Sequence, residues 1–567
     1  MHPYGLFSLA PPVVAVVLAI ATRKILLSVL VGLFCGALLT TQGDVLQALI
    51  DLFEAHLWPT FTEPGKLRLF SFTMAMGATV GLIHAAGGMQ GLVGLMTPLA
   101  RGPRSGQLTG WLLGLVVFFD DYANTLLLGG ALRSVFDRLK LSREKLAYLV
   151  DSTAAPVAGL AVISTWVAVE ISYIQEGLDN LPDGATSDAS AFALFVTCLP
   201  YRFYVIQALL FVPIVALLGR EFGPMLAAER AARATPQADR SQPSAEAEGQ
   251  QRATDPPATA GGSGDIGLPT ATHWSNAVIP LGVTLATVTA LLWLTGVANL
   301  GDEYDPEAST LILLRDVFGA ASSGLALMYG GLAGLVTAVG VVRLRNLLPP
   351  KETTDALVRG VVTVLPAVAI LWFAGAMSRM TGNRDTDGSP SATPYEHADV
   401  RLYTGEYLSA KLLGEGDAEP SAALKTLLPT GVFVLSAVVA FCTGTSFGTM
   451  GLVVPMVVPI AYTAAGGGGG DPTAAPLLLA SLGGVLAGAI FGDHCSPISD
   501  TTILSSTASE CDHMAHVRTQ LPYALSVAAV VILLGTLPLA MGVNVWILLP
   551  LQTAALVGLL LMLGEKP

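Results

Sequence analysis

The chain has 567 residues, of which 52% are hydrophobic and only 13% are charged, and its mean hydropathy is +0.63. Soluble domains carry about 25% charged residues. Apolar runs approaching the roughly 20 residues that a helix needs to cross the hydrocarbon core recur along the sequence, whereas a transmembrane β-barrel would show short alternating segments. The sequence therefore predicts an all-α polytopic membrane protein and excludes a soluble enzyme.

The net charge and the cysteines narrow the range of partners. The formal net charge is −13 and the isoelectric point is near 5.0, which argues against a nucleic-acid partner and a polybasic lipid-binding surface. The five cysteines lack paired spacing, so we expect no disulfide framework. No Lys or Arg precedes Arg23 and no signal-peptide cleavage pattern is present, so we interpret the first apolar run as a retained span.

The apolar runs fall into two groups separated by a long polar segment. Residues from about 219 to 272 are rich in Ala, Pro, Ser, Gln and Gly, a composition typical of a flexible linker. We therefore predict a first transmembrane repeat at 1–219, a flexible cytoplasmic linker at 220–273 and a second transmembrane repeat at 274–567. The predicted spans lie near 6–22, 25–41, 69–88, 108–130, 160–175, 191–218, 276–298, 322–342, 360–378, 426–442, 450–464, 478–491, 521–540 and 545–563.

The distribution of basic residues predicts the orientation in the cell membrane. Loops at 175–190 and 300–308 carry acids without Lys or Arg and should face outward. The C-terminus should be cytoplasmic. The basic loops, which should also face the cytoplasm, lie at 23–24, 133–145, 220–240 and 343–359.

A short pattern occurs once in each half of the chain. Asp151 precedes Pro156 by five residues, Asp493 precedes Pro497 by four, and a serine follows each proline by eight residues. Internal repeats of transporters mark the two sides of a substrate site. We predict two inverted repeats of opposite membrane orientation, with these prolines at equivalent positions.

Two adjacent acids, Asp120 and Asp121, are flanked on both sides by apolar residues. Ionisable groups in such a setting are costly and usually functional. Helical spacing places Asn124 one turn from both aspartates and Thr125 one turn from Asp121, which predicts an oxygen cluster suited to Na⁺ at Asp121, Asn124 and Thr125. Because two neighbouring carboxylates resist carrying two charges at low dielectric, one of them should also exchange a proton near neutral pH. A structural helix cap is the alternative.

Three segments, at 151–165, 443–451 and 493–507, interrupt apolar helices with small, hydroxyl or proline residues. Backbone groups freed by such breaks are tolerated at membrane depth only where they line a cavity or the protein interior. We predict that the broken helices offer dipole ends and carbonyls to ions and substrates, with interfacial loops or close helix packing as the alternatives. Glu170, another isolated acid, is interpreted either as a site residue or as a helix-end residue.

Other kinds of chemistry are disfavoured. The glycines at 443–451 lack the Lys of a phosphate-binding loop, so ATP-driven pumping is not expected. The spacing of Cys511, His513 and His516 is a weak metal signal. We expect no enzyme and no cofactor, with Na⁺ and H⁺ as transported or coupling ions.

Long motifs occur in both halves: Phe119-Asp-Asp-Tyr-Ala-Asn124, Ser142-Arg-Glu-Lys-Leu-Ala-Tyr-Leu-Val-Asp-Ser-Thr-Ala-Ala-Pro156, Ile163-Ser-Thr-Trp166, Gly444-Thr-Ser-Phe-Gly-Thr449 and Phe491-Gly-Asp-His-Cys-Ser-Pro-Ile-Ser-Asp-Thr-Thr502. With these motifs the chain resembles the NhaC family of sodium/proton antiporters, within the ion-transporter group of secondary transporters. The resemblance implies inverted repeats with broken helices and re-entrant hairpins, electrochemically driven transport, and a homodimer with a moving transport domain in the lipid bilayer. It leaves the substrate open, because relatives handle amino acids or organic acids as well as Na⁺.

Two transport hypotheses follow. The first is exchange of Na⁺ for H⁺ by competition at buried carboxylates, and the alternative is Na⁺- or H⁺-coupled transport of an amino acid or organic acid. An intramembrane hydrolase is a third reading that lacks an identifiable nucleophile. The residues predicted to bind the ion or substrate are Asp120, Asp121, Asn124, Thr125, Asp151, Ser152, Thr153, Ser164, Thr165, Thr445, Ser446, Asp493, Ser496, Asp500 and Thr501.

Overall fold

The computed structural model describes most of the chain. The described residues are 4–22, 24–162, 164–181, 190–234, 273–301, 304, 306, 313, 317, 320–381, 400–404, 407, 422–466, 473 and 475–567. Within these residues nine helices are long and apolar enough to cross a membrane, and up to twelve spans result if each sharply bent pair of helices is counted as one. The predicted all-α, multi-pass architecture is confirmed.

The α-helices of the first half are α1 Ala10–Thr22, α2 Ile25–Thr40, α3 Val45–Asp51, α4 Trp58–Thr62, α5 Pro64–Ala85, α6 Gly88–Met96, α7 Pro103–Val116, α8 Asp121–Arg138, α9 Arg143–Thr153, α10 Ala155–Leu160, α11 Thr165–Asp179, α12 Ala191–Cys198, α13 Phe203–Leu218 and α14 Gly223–Ala234. Those of the second half are α15 Ser275–Leu300, α16 Ser323–Leu344, α17 Pro350–Thr381, α18 Ala422–Thr443, α19 Ser446–Ala464, α20 Pro476–Cys495, α21 Asp500–Ala508, α22 His513–Val531, α23 Leu537–Ala540 and α24 Val545–Leu563.

Several hydroxyl residues that mark the predicted breaks start the next helix. Ser164 accepts hydrogen bonds from the first backbone N–H groups of α11, Thr445 does so for α19, and Ser499 does so for α21. Such N-caps satisfy donors that have no partner within the helix. The small polar residues therefore define where each interrupted helix resumes.

The first re-entrant hairpin consists of α7 and α8. Gly106 lies against Leu139, Gly110 lies against Leu132, and the side chain of Asn124 reaches the carbonyl of Gly114, so the two helices are antiparallel. Both ends of the hairpin lie on one face and its tip is the non-helical segment 117–120. The span predicted near 108–130 is therefore not one continuous helix, because the chain turns back at the tip.

The second re-entrant hairpin consists of α18 and α19. Helix α20 runs parallel to α18, and the two helices are in close contact. A Cβ on Gly488 would overlap the carbonyl oxygen of Phe433 in α18, and a Cβ on Gly492 would overlap that of Ala437. Helix α19 returns in the opposite direction, and the hydroxyl of its first residue, Ser446, donates to the carbonyl of Ala489 in α20. The tip of this hairpin is at 444–445, inside the break predicted at 443–451.

Each hairpin is followed by a broken crossing helix, α9 to α11 after the first and α20 to α21 after the second. The two crossing helices are antiparallel, because Thr502 contacts Asp151 while Ser509 contacts Arg143 at the other end of α9. Pro156 lies at the first break and Pro497 at the second. Since α11 and α19 run side by side in the same direction from the tips, the hairpins enter from opposite faces.

A second group of helices, α5 with α15 to α17, packs beside the hairpins. Gly77 of α5 and Gly360 of α17 contact each other so closely that neither position has room for a Cβ. The two groups meet through a buried ion pair between Lys66 of α5 and Glu176 of α11, to which Ser172 adds a hydroxyl. The hairpin group and this second group therefore form two adjoining layers.

The beginning of the predicted linker is ordered. Glu229 of α14 is buried and accepts hydrogen bonds from the backbone and hydroxyl of Ser142, and Glu221 pairs with Lys145 over 2.7 Å. The linker expected at 220–273 therefore begins too early, because 220–234 pack on α9 and α22. The rest of it, 235–272, lies outside the described residues.

Candidate functional site

A small cavity lies where the first hairpin tip, the second hairpin tip and the α5/α17 layer meet. Its volume of about 60 Å³ is several times the roughly 10–15 Å³ that one water needs. Three carboxylates face it, from Asp120, Asp121 and Asp500. The remaining lining residues are Thr73, Tyr122, Thr165, Thr363, Val364, Pro366, Ile370, Thr445 and Phe447.

Four helices begin at this cavity. Helix α8 starts at Asp121, α11 at Thr165, α19 at Ser446 and α21 at Asp500. The N-terminus of a helix carries unpaired N–H groups and a partial positive charge. The described lining contains no Lys or Arg, so these helix N-termini are the positive groups that face the buried carboxylates.

The first hairpin tip is fixed to the first crossing helix at the edge of the cavity. The backbone N–H of Thr165 donates to the carbonyl of Phe119 over 2.9 Å, and its hydroxyl donates to Asp120 over 3.2 Å. The second tip is fixed in the same way, since the hydroxyl of Ser496 donates to the carbonyl of Phe441 over 2.7 Å. Each tip is thus held by the break that follows it.

Asn124 braces the first tip from behind. Its amide nitrogen donates to the carbonyls of Gly114, Val117 and Thr153, at 2.9, 3.1 and 3.1 Å. Its amide oxygen is buried and has no hydrogen-bond partner among the described residues, and the same is true of the hydroxyl oxygen of Thr125. Two acceptor oxygens therefore remain available one helical turn from Asp121, which is the donor chemistry that Na⁺ prefers.

A chain of carboxylates and hydroxyls leads from the cavity toward the second crossing helix. The phenol of Tyr122 donates to Asp500, and the hydroxyl of Thr501 donates to Asp493 over 3.2 Å. The other carboxylate oxygen of Asp493 is buried without a partner. The acids of the first hairpin and the second crossing helix are therefore close, although more than 370 residues separate Tyr122 from Asp500 along the sequence.

Asp151 lies in a separate buried network. It accepts hydrogen bonds from Gln520 and, over 3.3 Å, from Thr502, and it lies 3.6 Å from a ring nitrogen of His516. That nitrogen also contacts the hydroxyl of Ser505 at 3.0 Å. These contacts fasten α9 to α21 and α22 behind the cavity.

Five of the predicted site residues line the cavity. These are Asp120, Asp121, Thr165, Thr445 and Asp500. The other ten surround the tips and breaks without lining it: Asn124, Thr125, Asp151, Ser152, Thr153, Ser164, Ser446, Asp493, Ser496 and Thr501.

The lining also contains residues that the sequence analysis missed. Tyr122 and Phe447 adjoin predicted residues within the same motifs, and that adjacency could have suggested them. Thr73 and Thr363, from α5 and α17, carry no local signal. The hydroxyl of Thr73 donates to the carbonyl of Leu69, and that of Thr363 donates to the carbonyl of Arg359, each within its own helix. The hydroxyl protons are therefore used, and only the oxygen lone pairs can contact a cation.

With this geometry established, comparison with known proteins identifies the class of protein. The profile of the Na⁺/H⁺ antiporter family matches residues 157–383 and 421–537, which is more than half of the chain. The chain belongs to the Na⁺/H⁺ antiporter family and is a secondary transporter. Its membrane-spanning helices and hairpins agree with that class.

Individual relatives are similar over different lengths. An uncharacterized protein of Haemophilus influenzae is 29% identical over 527 residues, covering 92% of this chain and 89% of that protein. The malate-2H⁺/Na⁺-lactate antiporter of Bacillus subtilis is 33% identical over 182 residues, 32% of this chain and 31% of that protein. An uncharacterized Na⁺/H⁺ antiporter of Haemophilus influenzae is 38% identical over 120 residues, 20% of this chain and 24% of that protein.

Two solved structures align with most of the chain at low similarity. The YdaH transporter of Alcanivorax borkumensis is 16% identical with a TM-score of 0.48, covering 88% of this chain and 90% of that chain. The antimetabolite efflux pump MtrF of Neisseria gonorrhoeae is 16% identical with a TM-score of 0.40, covering 89% of this chain and 85% of that chain.

Proposed function

We propose that this transporter exchanges Na⁺ for H⁺ by competition at the carboxylates of Asp120 and Asp121. The observation that supports this proposal is the chemistry of the cavity lining, where the described residues supply three carboxylates and several hydroxyls but no Lys or Arg. Carboxylate and hydroxyl oxygens suit a hard cation such as Na⁺. An organic anion would meet three acidic side chains, and the described lining supplies no basic side chain to attract it.

Exchange follows from competition at one site. A carboxylate that binds Na⁺ must be ionised, so a proton and Na⁺ exclude each other there. In this proposal Asp121 binds either a proton or Na⁺, the latter together with the oxygens of Asn124 and Thr125 that have no hydrogen-bond partner among the described residues, while Asp120 is held by Thr165. One ion leaves before the other binds, which couples the two fluxes without simultaneous occupancy.

The two hairpins give the cavity two potential exits. They enter from opposite faces, and the cavity lies between their tips and the α5/α17 layer. If the basic loops face the cytoplasm, the first hairpin enters from that side. We propose that access alternates by movement of the two hairpins and their crossing helices against α5 and α17. This movement would expose the cavity to one face at a time.

The proposal is tested in proteoliposomes that contain the full chain and an imposed pH gradient. Addition of Na⁺ alone should dissipate the gradient, whereas choline at the same ionic strength should not. Asp121→Asn protein, reconstituted at equal density, is the matched control for leak. A gradient that Na⁺ cannot dissipate in the absence of any organic solute contradicts the proposal.

A second candidate is Na⁺- or H⁺-coupled transport of an amino acid or organic acid. It is favoured by the partial similarity to the malate-2H⁺/Na⁺-lactate antiporter and to the arginine/ornithine antiporter of Halobacterium salinarum, which is 39% identical over 97 residues. The converging helix N-termini could also stabilise a carboxylate substrate. Repeating the assay with lactate, malate or arginine on either side separates the candidates, because only the second requires a solute.

A further inference from the structure

A buried ion pair lies beside the cavity without lining it. Arg202 stands between α12 and α13, Glu170 lies on α11, and both side chains are fully shielded from solvent. The guanidinium donates to Glu170 over 2.6 Å and lies over the ring of Phe195, 4.9 Å from its centroid. A pair buried this deeply repays its desolvation only with good geometry and further hydrogen bonds.

The further hydrogen bond goes to the helix on the other side of a break. A second guanidinium nitrogen of Arg202 donates to the carbonyl of Gly159 over 2.6 Å. Gly159 is in the last turn of α10, where carbonyls lack partners within the helix and a positive charge complements the helix dipole. Arg202 therefore contacts α10 directly and α11 through Glu170. It joins these two helices across the break at 161–164.

The residues that follow this break hold the first hairpin tip. Thr165 contacts Phe119 through its backbone and Asp120 through its hydroxyl. We infer that Arg202 and Glu170 are a positioning pair, which fixes α10 against α11 and thereby keeps Thr165 against the tip that carries Asp120. Neither residue touches the cavity, so they act on it through Thr165.

The chain offers a matched control pair. Lys145 and Glu221 are also buried, with side chains 2% and 3% exposed, and they pair over 2.7 Å. They join α9 to the segment before α14 and line neither a break nor the cavity. Neutralising this pair should cost stability without moving Thr165.

The experiment compares purified full-length variants with two measurements. Arg202→Gln removes the cation, the double variant Arg202→Met with Glu170→Gln removes both charges, and Lys145→Met with Glu221→Gln is the control. Hydrogen exchange of the backbone amides at 158–168 measures how often the break opens. The Na⁺ concentration that gives half of the maximal thermal stabilisation, measured at constant ionic strength with choline, reports Na⁺ binding at the cavity.

We expect both Arg202 variants to exchange faster at 158–168, because the N–H groups capped by Ser164 and held by Phe119 open more often. The half-saturating Na⁺ concentration should rise about 10- to 100-fold, as it does when outer-shell partners of a bound ion are removed. The control should leave both readouts within about twofold of the wild type. If Arg202→Gln is not recovered as folded protein, the double variant, which leaves no unpaired buried charge, carries both measurements.

The outcomes separate this inference from the function on which its Na⁺ readout rests. Unchanged exchange at 158–168 in the Arg202 variants, or an equal change in the control, overturns the positioning role. Altered exchange with an unaltered Na⁺ response overturns the link to the cavity. A wild type that Na⁺ does not stabilise counts against the proposed function, and the exchange measurement then still decides the positioning role.

Discussion

The two re-entrant hairpins share an architecture but differ in chemistry. The first hairpin presents acids at its tip, Asp120 and Asp121, and its crossing helix supplies the hydroxyl of Thr165. The second presents the hydroxyl of Thr445 at its tip, and its crossing helix supplies the acid, Asp500. The fold therefore places complementary groups opposite each other, so that carboxylates from both halves share one cavity without both tips carrying charge.

If the transporter exchanges Na⁺ for H⁺ as proposed, this comparison assigns the ion-exchange chemistry to the first tip and the enclosure of the cavity to the second. A carboxylate can bind a cation or, in its place, a proton, whereas a hydroxyl can only contribute a neutral ligand. The predictions below test this division of roles.

The largest effect is expected from Asp121→Asn. The change keeps the shape of the side chain and removes the charge, so Na⁺-dependent pH change in liposomes should be abolished between pH 6 and 9 while the protein stays folded. Size-exclusion profiles and thermal unfolding of the purified variant check the fold. Coupled transport retained by the Asp121→Asn variant would contradict this assignment. An inactive Asp120→Asn variant beside an active Asp121→Asn variant would show that the roles of the two acids are reversed.

A substitution where the second crossing helix packs on the second hairpin should affect stability first. Gly492→Ala places a Cβ against the carbonyl of Ala437, where no space exists, and overpacking of this kind costs about 1–3 kcal/mol. We expect a lower midpoint of thermal unfolding. Gly558→Ala in α24 is the control, because a Cβ there meets no atom within 4 Å. Equal midpoints for both variants would show that α18 and α20 are not packed as described.

The sequence predicts the second hairpin better than the first. The break at 444–445 is marked by Gly444, which has a positive φ of 69° and lies against the carbonyl of Ile498. The break at 117–120 contains neither Pro nor Gly, and apart from the acids at its end the flanking residues are apolar, so the local sequence does not mark a turn. There the chain turns because Asn124 binds the carbonyls of Gly114 and Val117, a contact that appears only once the hairpin has formed.

The cavity was predictable on one side only. Its acids stand out as charges in apolar runs, and Thr165 and Thr445 lie in recognisable breaks. Thr73 and Thr363 look like ordinary helix residues, and they reach the cavity because Gly77 and Gly360 allow α5 and α17 to approach closely. Local sequence patterns do not reveal this side of the cavity lining, because long-range helix packing creates it.

Substitutions of the two threonine hydroxyls, Thr165 beside the first tip and Thr445 at the second, should have unequal effects. Thr165→Val removes a hydrogen bond to a charged group, worth about 1.5–3 kcal/mol, so the half-saturating Na⁺ concentration should rise about tenfold or more. Thr445→Val removes a neutral hydroxyl and should have an effect of about fivefold or less. Initial rates of Na⁺-driven exchange against Na⁺ concentration give both values. A larger effect at Thr445 would place the main cation contacts on the second tip.

A smaller effect is expected from Asp120→Asn, which should keep exchange but move its pH profile to lower pH. Without the neighbouring like charge, Asp121 ionises more readily and can therefore bind Na⁺ at lower pH. Exchange rates measured in half-unit steps from pH 6 to 9 show the shift. A profile that moves upward would mean that Asp120 helps Asp121 to ionise.

The smallest effect is expected from shortening the linker. Residues 240–268 are polar and flank no motif of the site, so their deletion should leave Na⁺-dependent exchange near the wild-type rate. A second deletion that begins at 224 also removes Glu229, whose carboxylate binds Ser142 at the start of α9, and it should lower the yield of folded protein. The contrast between the two deletions therefore locates the residue at which the packed part of the transporter ends and the linker begins. Loss of transport in the correctly inserted shorter deletion would show that residues beyond α14 take part in the cycle.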